Sequence, residues 1–484
     1  MNVTPVTDVT PVTARVPGDA IVWDPSIYPR AKWSTATVDR YAEAIEAGDQ
    51  FPPIVVEAGT RRLLDGKHRQ LAYLKAGLLV EDQPIEGRKV FVPAPGATVA
   101  VEARAVPDGV PVKLYAASLS ARHGDRMAVS DLKDVCREVY TENPEYKQGD
   151  VAKLLGIKQQ RVSEFVGDIL AVRREERKAK VQRLSRLGWT QQDIADRLDV
   201  ARTTVTGDVN STDSGIFDSG HAPEEIARRL GVPIQLVLAQ QFDGKDDDAR
   251  LKALGIKSQP YDVWQFPSCH DLMGDRHPGR IPGELVAHVL YFFTQPGDLV
   301  VDPMAGSGTT LDACLLMGRK ARGYDIDHRH DRVDIEQHDL STGWPDTVEK
   351  AALIFWDPPY YDKMDHGTIG EDGYIAGSIS GLTPDEYLDW LTDRFADLAN
   401  RVKPGTKLTF LMSDWDPENA KQHGDHPGIF LWDYADRLRS TGWTLRRQIQ
   451  TPLSTQQVHP DIVNKLRDSR RLARLERYLL VAET

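Results

Sequence analysis

The chain has 484 residues with a formal charge of −12, and at this length two to four hydrophobic cores are expected instead of one. Its apolar (40%) and charged (27%) fractions are those of a globular protein, which excludes a disordered or collagen-like class. The charge excludes a histone-like coat of positive side chains but not nucleic acid, because local patches decide binding.

The predicted elements begin with a Thr/Val/Pro-rich tail over 1–17, read as disordered. A small α/β segment follows over 18–122. It has a helix near Thr37–Ala47, a strand at Pro53–Val56, then Leu63-Leu64-Asp65-Gly66-Lys67-His68-Arg69 leading into a helix over Gln70–Ala76. Residues 123–250 read as all helix and hold an internal repeat opened by Asp150-Val151-Ala152, Asp193-Ile194-Ala195 and Glu225-Ile226-Ala227, closing on Val162, Val205 and Val237. In each copy the Ala allows two helices to approach, a Gly or Asp makes the turn, and the final Val packs the second helix, as in a helix-turn-helix. The second copy places Gln191, Gln192, Arg202, Thr203 and Thr204 where side chains reach phosphates and base edges. The third has apolar Pro233-Ile234-Gln235-Leu236 there and reads as structural. Between the first two copies lies a basic run from Arg173 to Lys180.

Over 257–484 strands alternate with helices. Strands are expected at Leu299–Asp302, Ala321–Asp325, Leu353–Trp356, Lys407–Met412, Thr444–Ile449 and Tyr478–Ala482, with helices such as Thr309–Met317 and Pro384–Asn400 between them. This is the pattern of a mostly parallel, doubly wound α/β sheet. The first strand runs into Asp302-Pro303-Met304-Ala305-Gly306-Ser307-Gly308-Thr309, whose glycines let backbone amides approach an anion at a helix amino terminus. The loop lacks the third glycine of a dinucleotide fingerprint and the Lys of a P-loop. Asp325, at the end of the next strand, is placed to hold a ribose diol. After the run Leu353–Trp356 comes Asp357-Pro358-Pro359-Tyr360. Two prolines there cannot continue a strand or helix, so the four residues form a stiff loop at a strand's carboxyl end, where open α/β sheets bind ligands.

Together these loops resemble the amino-group DNA methyltransferases, the N6-adenine and N4-cytosine enzymes that use S-adenosylmethionine on a Rossmann-like class I fold. Asp357-Pro358-Pro359-Tyr360 matches the catalytic motif, and Asp302 to Thr309 the cofactor loop, with Met304 where Phe is usual. His277-Pro278-Gly279-Arg280-Ile281-Pro282 resembles the preceding segment of that family. The resemblance implies that Asp357 and the Pro358 carbonyl accept the hydrogens of a target amino group, that Tyr360 stacks on a flipped base, and that Asp339 contacts the cofactor's adenine. An Asp at the first position favours adenine over cytosine.

Leu63 to Ala72 resembles the ParB and sulfiredoxin-like amino-terminal domain, whose Gly-x-x-Arg turn would bring Lys67, His68 and Arg69 to DNA or a nucleotide. Little chain separates Thr310 from Asp357, so the amino-terminal modules are expected to choose the DNA site. Double-stranded DNA is the expected partner; the sequence leaves open a homodimer and a cognate restriction endonuclease. The competing reading is a ParB-like regulator with an inactive methyltransferase domain, and an RNA or protein amine is a third substrate. Cys136, Cys269 and Cys314 are scattered, so no metal site or disulfide is expected. No apolar run approaches the roughly 20 residues of a membrane span, and a cytoplasmic, nucleoid-associated chain is expected.

Overall fold

A computed structural model describes residues 19–484 apart from 123–126, 144–145, 212–220, 267, 277–279, 328–331, 362–378, 380–381, 416–426, 453–459, 469 and 471–474. The expected tail over 1–17 and His277-Pro278-Gly279 therefore lie outside the described residues. The chain forms two compact units, Met1–Arg174 and Glu175–Thr484.

In the first unit, strands β1 (Ile21–Trp23), β2 (Ile54–Glu57), β3 (Leu63–Asp65), β4 (Leu79–Ile85), β5 (Arg88–Pro93) and β6 (Val101–Arg104) make two three-stranded sheets, ordered β1-β5-β4 and β3-β2-β6. Helices α1 (Thr35–Glu46) and α2 (Lys67–Lys75) pack on them around Ile21, Ile54, Leu63 and Ala72, all fully buried. Ser34 caps α1 by accepting from Thr37 N at 3.1 Å. A second cluster follows around α3 (Val112–Arg122), α4 (Val129–Glu142) and α5 (Gln148–Leu155).

Helix α6 (Gln159–Arg186) runs through the division between the units, carrying the basic run with it. The repeats are pairs of helices. In the second, α7 (Gln191–Leu198) and α8 (Arg202–Asn210) are joined through Asp199, in the left-handed region at φ 50°. α7 is opened by a capping box between Thr190 and Asp193. In the third, α9 (Pro223–Leu230) and α10 (Ile234–Gln241) turn through Gly231. Val162, Val205 and Val237 are each fully buried.

A separate helical region ending at 250 was the expectation; the structure differs. Residues from Ala179 to Ile256 share one apolar core with the sheet that follows. The reason is lateral docking: Ala321 N donates to Leu187 O at 3.0 Å, and the Arg322 guanidinium lies 4.6 Å from the Trp189 ring. Helix α11 (Asp247–Ala253) is tied on in the same way, since buried Arg319 reaches Asp247 Oδ2 at 2.8 Å.

The large sheet comprises β7 (Leu299–Asp302), β8 (Lys320–Asp325), β9 (Ile335–Gln337), β10 (Leu353–Trp356), β11 (Lys407–Met412), β12 (Thr444–Gln450) and β13 (Tyr478–Glu483), ordered β12-β13-β11-β10-β7-β8-β9. Pairing is parallel from β9 to β11, and β13 is antiparallel to both β11 and β12. One face carries α12 (Gly283–Phe293) and α13 (Thr309–Met317), within the core that includes Val300, Leu353 and Leu411. The other carries α14 (Pro384–Arg401) and α15 (Leu431–Ser440), around Val301, Ile354 and Phe410. Alternate residues of β7 and β10 thus feed opposite layers, as period-2 geometry requires. Among the described residues no helix is long and apolar enough to cross a membrane.

Candidate active site

Strand order reverses between β7 and β10: the chain moves from β7 outward to β8 and β9, then returns to β10 on the other side. Carboxyl ends flanking such a switch point diverge and leave a crevice. The two loops singled out in the sequence leave from these two ends.

On the β7 side, Asp302 is buried and accepts from Met304 N at 3.1 Å. Burial pushes its carboxyl up to about 7; the Thr310 hydroxyl and Met304 amide oppose that rise, while the charges of Asp357 and Asp325 add to it. The loop turns through Gly306 (φ 47°) and Gly308 (φ 80°) into α13. At Gly308 a side chain is barred twice over, since a Cβ would also lie 2.2 Å from Arg332 Cζ. From β8, Asp325 accepts from Gly306 N at 2.8 Å with one oxygen and from Asp327 N at 2.9 Å with the other. Each carboxylate oxygen keeps acceptor capacity beyond these bonds, so the residue fits a diol donor while holding the loop shut. His338 N donates to Asp325 O at 2.9 Å, bringing the β9 end alongside. Asp339, next in sequence, is half-buried and accepts from Ser341 N at 2.9 Å.

A cluster that sequence reasoning missed lies behind the glycine loop. Arg332 reaches Asp312 Oδ1 and Asp334 Oδ2, each at 3.0 Å, and donates to the Ser307 carbonyl at 2.9 Å. Arg183, from α6, meets Asp334 at 2.7 Å and also Asp312. Burial alone would raise both carboxyls, but the two guanidiniums outweigh it and hold Asp312 and Asp334 below the usual carboxylate range. Gly274 N donates to Asp312 Oδ2 at 2.7 Å and Asp275 N to Ser307 O at 3.0 Å, so the loop is gripped from below on several sides. Arg183 and Asp334 are 151 positions apart, and no local pattern announces such a pair.

On the β10 side, the Asp357 carboxylate accepts from Tyr360 Oη at 2.8 Å. Burial raises its carboxyl to about 6, against the Tyr360 bond and the positive charge of Arg477. Burial also drives the Tyr360 hydroxyl well above its ordinary value, so it stays a donor. Pro359 O accepts from Tyr387 Oη at 3.2 Å, which pins the loop to α14. Tyr361, fully buried, meets Trp415 edge-on with centroids 4.8 Å apart. Because β13 runs backwards, Arg477, just ahead of it, stands at this same end of the sheet, where Thr451 N donates to its carbonyl at 2.7 Å. Among the described residues no group of His, Cys, Asp and Glu could hold a metal ion.

The structure thus brings Asp302 to Thr309, Asp325 and Asp339 to one end of the sheet with Asp357 to Tyr360. The nucleic-acid candidates lie elsewhere. On α7 and α8, Gln192, Arg202 and Thr203 are exposed, Thr204 is half-exposed, and Gln191 is tied to Thr206 at 3.0 Å.

In the first unit, Lys67, His68 and Arg69, expected to meet DNA or a nucleotide, open α2 and have partners within the fold. Lys67 is 4% exposed, its ammonium lies 3.4 Å from the Trp23 ring centroid, and it donates to Gln70 Oε1 at 2.9 Å. Burial, with a smaller push from Lys89, lowers its ammonium to about 8. Arg69 is spent internally, on Pro52 O, Pro53 O and Asp65 at 2.7–2.8 Å. His68 Nε2 accepts from Ser34 N at 3.0 Å. Far-off aromatic residues cover this turn, which nothing within Gly66–Arg69 reveals.

Residues 239–335 match the N6/N4 methyltransferase family model, described as DNA methylase. That stretch holds the glycine loop and Asp325 and ends before Asp357. The chain is 33% identical over 97 residues to the DNA adenine methyltransferase YhdJ of Escherichia coli K12, covering 20% of this chain and 32% of that one. It is 31% identical over 119 residues to the type II methyltransferase M.BglII of Bacillus subtilis, covering 24% and 32%. The chain therefore spans about a third of the length of these curated relatives. Among solved structures, TrmN from Thermus thermophilus aligns at 15% identity and TM-score 0.25, over 42% of this chain and 49% of that one. An S-adenosylmethionine-dependent methyltransferase from Mesorhizobium loti aligns at 14% and 0.25, over 39% and 92%. Scores this low leave the fold to be read from the strand order itself.

Proposed function

We propose that this protein transfers a methyl group from S-adenosylmethionine to the N6 amino group of an adenine flipped out of duplex DNA. The observation that carries the reading is the meeting of the glycine loop and the Asp357 loop at the carboxyl ends of β7 and β10. The DNA methylase match supports the cofactor and the substrate class.

Asp302, Asp325 and the glycine loop between them would hold the cofactor, whose bound sulfonium would supply an electrophilic methyl group. A base amino nitrogen is a poor nucleophile because its lone pair is delocalised into the ring. The Asp357 carboxylate and the Pro358 carbonyl accept its two hydrogens, freeing the lone pair for in-line attack. With the cofactor bound, its methyl would pass to the nitrogen as the sulfur–methyl bond breaks, and the surplus proton would leave the nitrogen along the hydrogen bond to Asp357. With a carboxyl near 6, Asp357 is ionised at neutral pH yet basic enough to take that proton. Tyr360 keeps the carboxylate oriented through its hydroxyl and offers its ring to the base. Base flipping is required because the amino group of a stacked base is out of reach.

The Asp at position 357 and the adenine-methylating relative favour N6 over N4. Site choice is assigned to α7 and α8, with the amino-terminal unit as a second DNA-contacting body. Tritiated methyl transfer to duplex DNA, followed by nucleoside analysis, tests the reading. Wild type should yield N6-methyladenine and Asp357→Ala should lose about 100-fold or more in rate. N4-methylcytosine alone would replace adenine by cytosine; label transfer by Asp357→Ala at the wild-type rate would overturn the mechanism.

A further inference from the structure

Residues 332–335 face two ways. The side chains of Arg332 and Asp334 turn under the glycine loop, into the buried cluster with Arg183 and Asp312. The carbonyls of Val333 and Ile335 turn outward, where Arg197 of α7 donates to them at 3.0 and 2.5 Å. β9 is the edge strand of the sheet, paired on one side with β8. The guanidinium therefore takes the place of a missing neighbour strand, donating to alternate carbonyls as that strand's amides would.

Both ends of this connection are stiff. At one end, Arg332 donates to Ser307 O, inside the glycine turn that leaves the carboxyl end of β7. At the other, α7 is opened by its capping box and packed through fully buried Ile194. The side chains that carry it, Arg197 and Arg332, are part-buried and each held by more than one hydrogen bond, and close-packed interiors pass displacement on instead of absorbing it.

We propose that 332–335 is a strut coupling the helix pair α7–α8 to the cofactor loop, with Arg197 as its positioning residue. DNA held by the pair then tightens cofactor binding, and cofactor tightens DNA by the same factor, as linkage demands. The inference rests on the methyltransferase reading and on DNA contact by α7–α8.

The test uses the full chain and a duplex that the wild-type protein methylates. S-adenosylhomocysteine is titrated calorimetrically with and without saturating duplex. Wild type should bind it about fivefold more tightly or better with DNA present. Arg197→Gln should reduce that ratio to within about twofold of one while its DNA-free affinity stays within about twofold of wild type. Arg197→Lys, which can satisfy one carbonyl, should fall between, and it carries the test should Arg197→Gln lose its circular dichroism signature. A wild-type ratio of one, or a wild-type ratio retained in the variants, overturns the strut while leaving the enzyme reading intact. Failure of the wild-type protein to methylate any duplex or bind S-adenosylhomocysteine overturns both.

Discussion

Tyr360 and Asp357 act on each other: the hydroxyl donates to Oδ1 at 2.8 Å, and the bond opposes the rise that burial imposes on the carboxyl. An aromatic residue expected to serve through its ring thus also sets the ionisation of the group beside it.

The first consequence concerns pH. In the proposed mechanism amino-group activation needs the Asp357 carboxylate, so kcat should fall as pH drops through about 6 and level off above it. Tyr360→Phe removes a lowering influence, so its acidic limb should move to higher pH. Rate profiles from pH 5 to 9 at saturating cofactor would check both; an unmoved limb in Tyr360→Phe would show that the hydroxyl does not tune Asp357.

Asp302 makes a prediction about stability. Its carboxyl is raised by burial to about 7, above the unfolded value of 3.8, so its contribution is fully present below 3.8 and is lost as pH rises through 7. Asp302→Asn has no such titration. Relative to wild type it should gain on the order of 2–4 kcal/mol in going from pH 4 to pH 8. Denaturant unfolding at the two values measures the difference, and parallel curves would refute it.

Gly308 and Arg332 should behave as a pair. Gly308→Ala suffers from the left-handed backbone and from a methyl group 2.2 Å from the guanidinium carbon. Arg332→Ala removes the second penalty but leaves Asp312 and Asp334 short of a partner, at about 3–5 kcal/mol. The double variant should therefore be more stable than the sum of the singles by about 0.5–3 kcal/mol. A thermal-unfolding double-mutant cycle reads this directly, and strict additivity would argue against the contact.

Lys67 should be silent towards DNA. Its ammonium sits beneath Trp23, so Lys67→Met should leave the salt slope of duplex binding unchanged, whereas an exposed phosphate contact would reduce the slope by about 1. Fluorescence anisotropy across a salt series distinguishes the two.

These cases also show which parts of the molecule were legible in advance. Leu299–Asp302, Leu353–Trp356 and Lys407–Met412 are observed where their apolar runs end in glycine, proline or polar turns, because a buried parallel strand leaves that signature. β9 spans only Ile335–Gln337, with Glu336 half-exposed and Gln337 exposed, too short for any period to show. Both chemical loops could be read locally, since each is a strand end followed by glycine or proline. Arg183, Arg197, Arg332 and Asp334 could not be: their roles arise from pairs that only the tertiary fold brings together. The same blindness misjudged Lys67, whose cover comes from Trp23, Trp33 and Phe91. It also divided off the helices up to 250, which Trp189 and Arg322 join to the sheet.

β13 follows β12 in the chain yet lies between it and β11. During folding, β12 therefore lacks a neighbour along most of its length until β13 is inserted, being bridged otherwise through Gln450 to Val263, and Arg477 reaches Asp357 only through that same insertion. Such non-local pairing is slow and leaves strand edges open meanwhile. The step that completes the sheet should then also be the one that brings the positive charge of Arg477 to Asp357 and lowers its carboxyl.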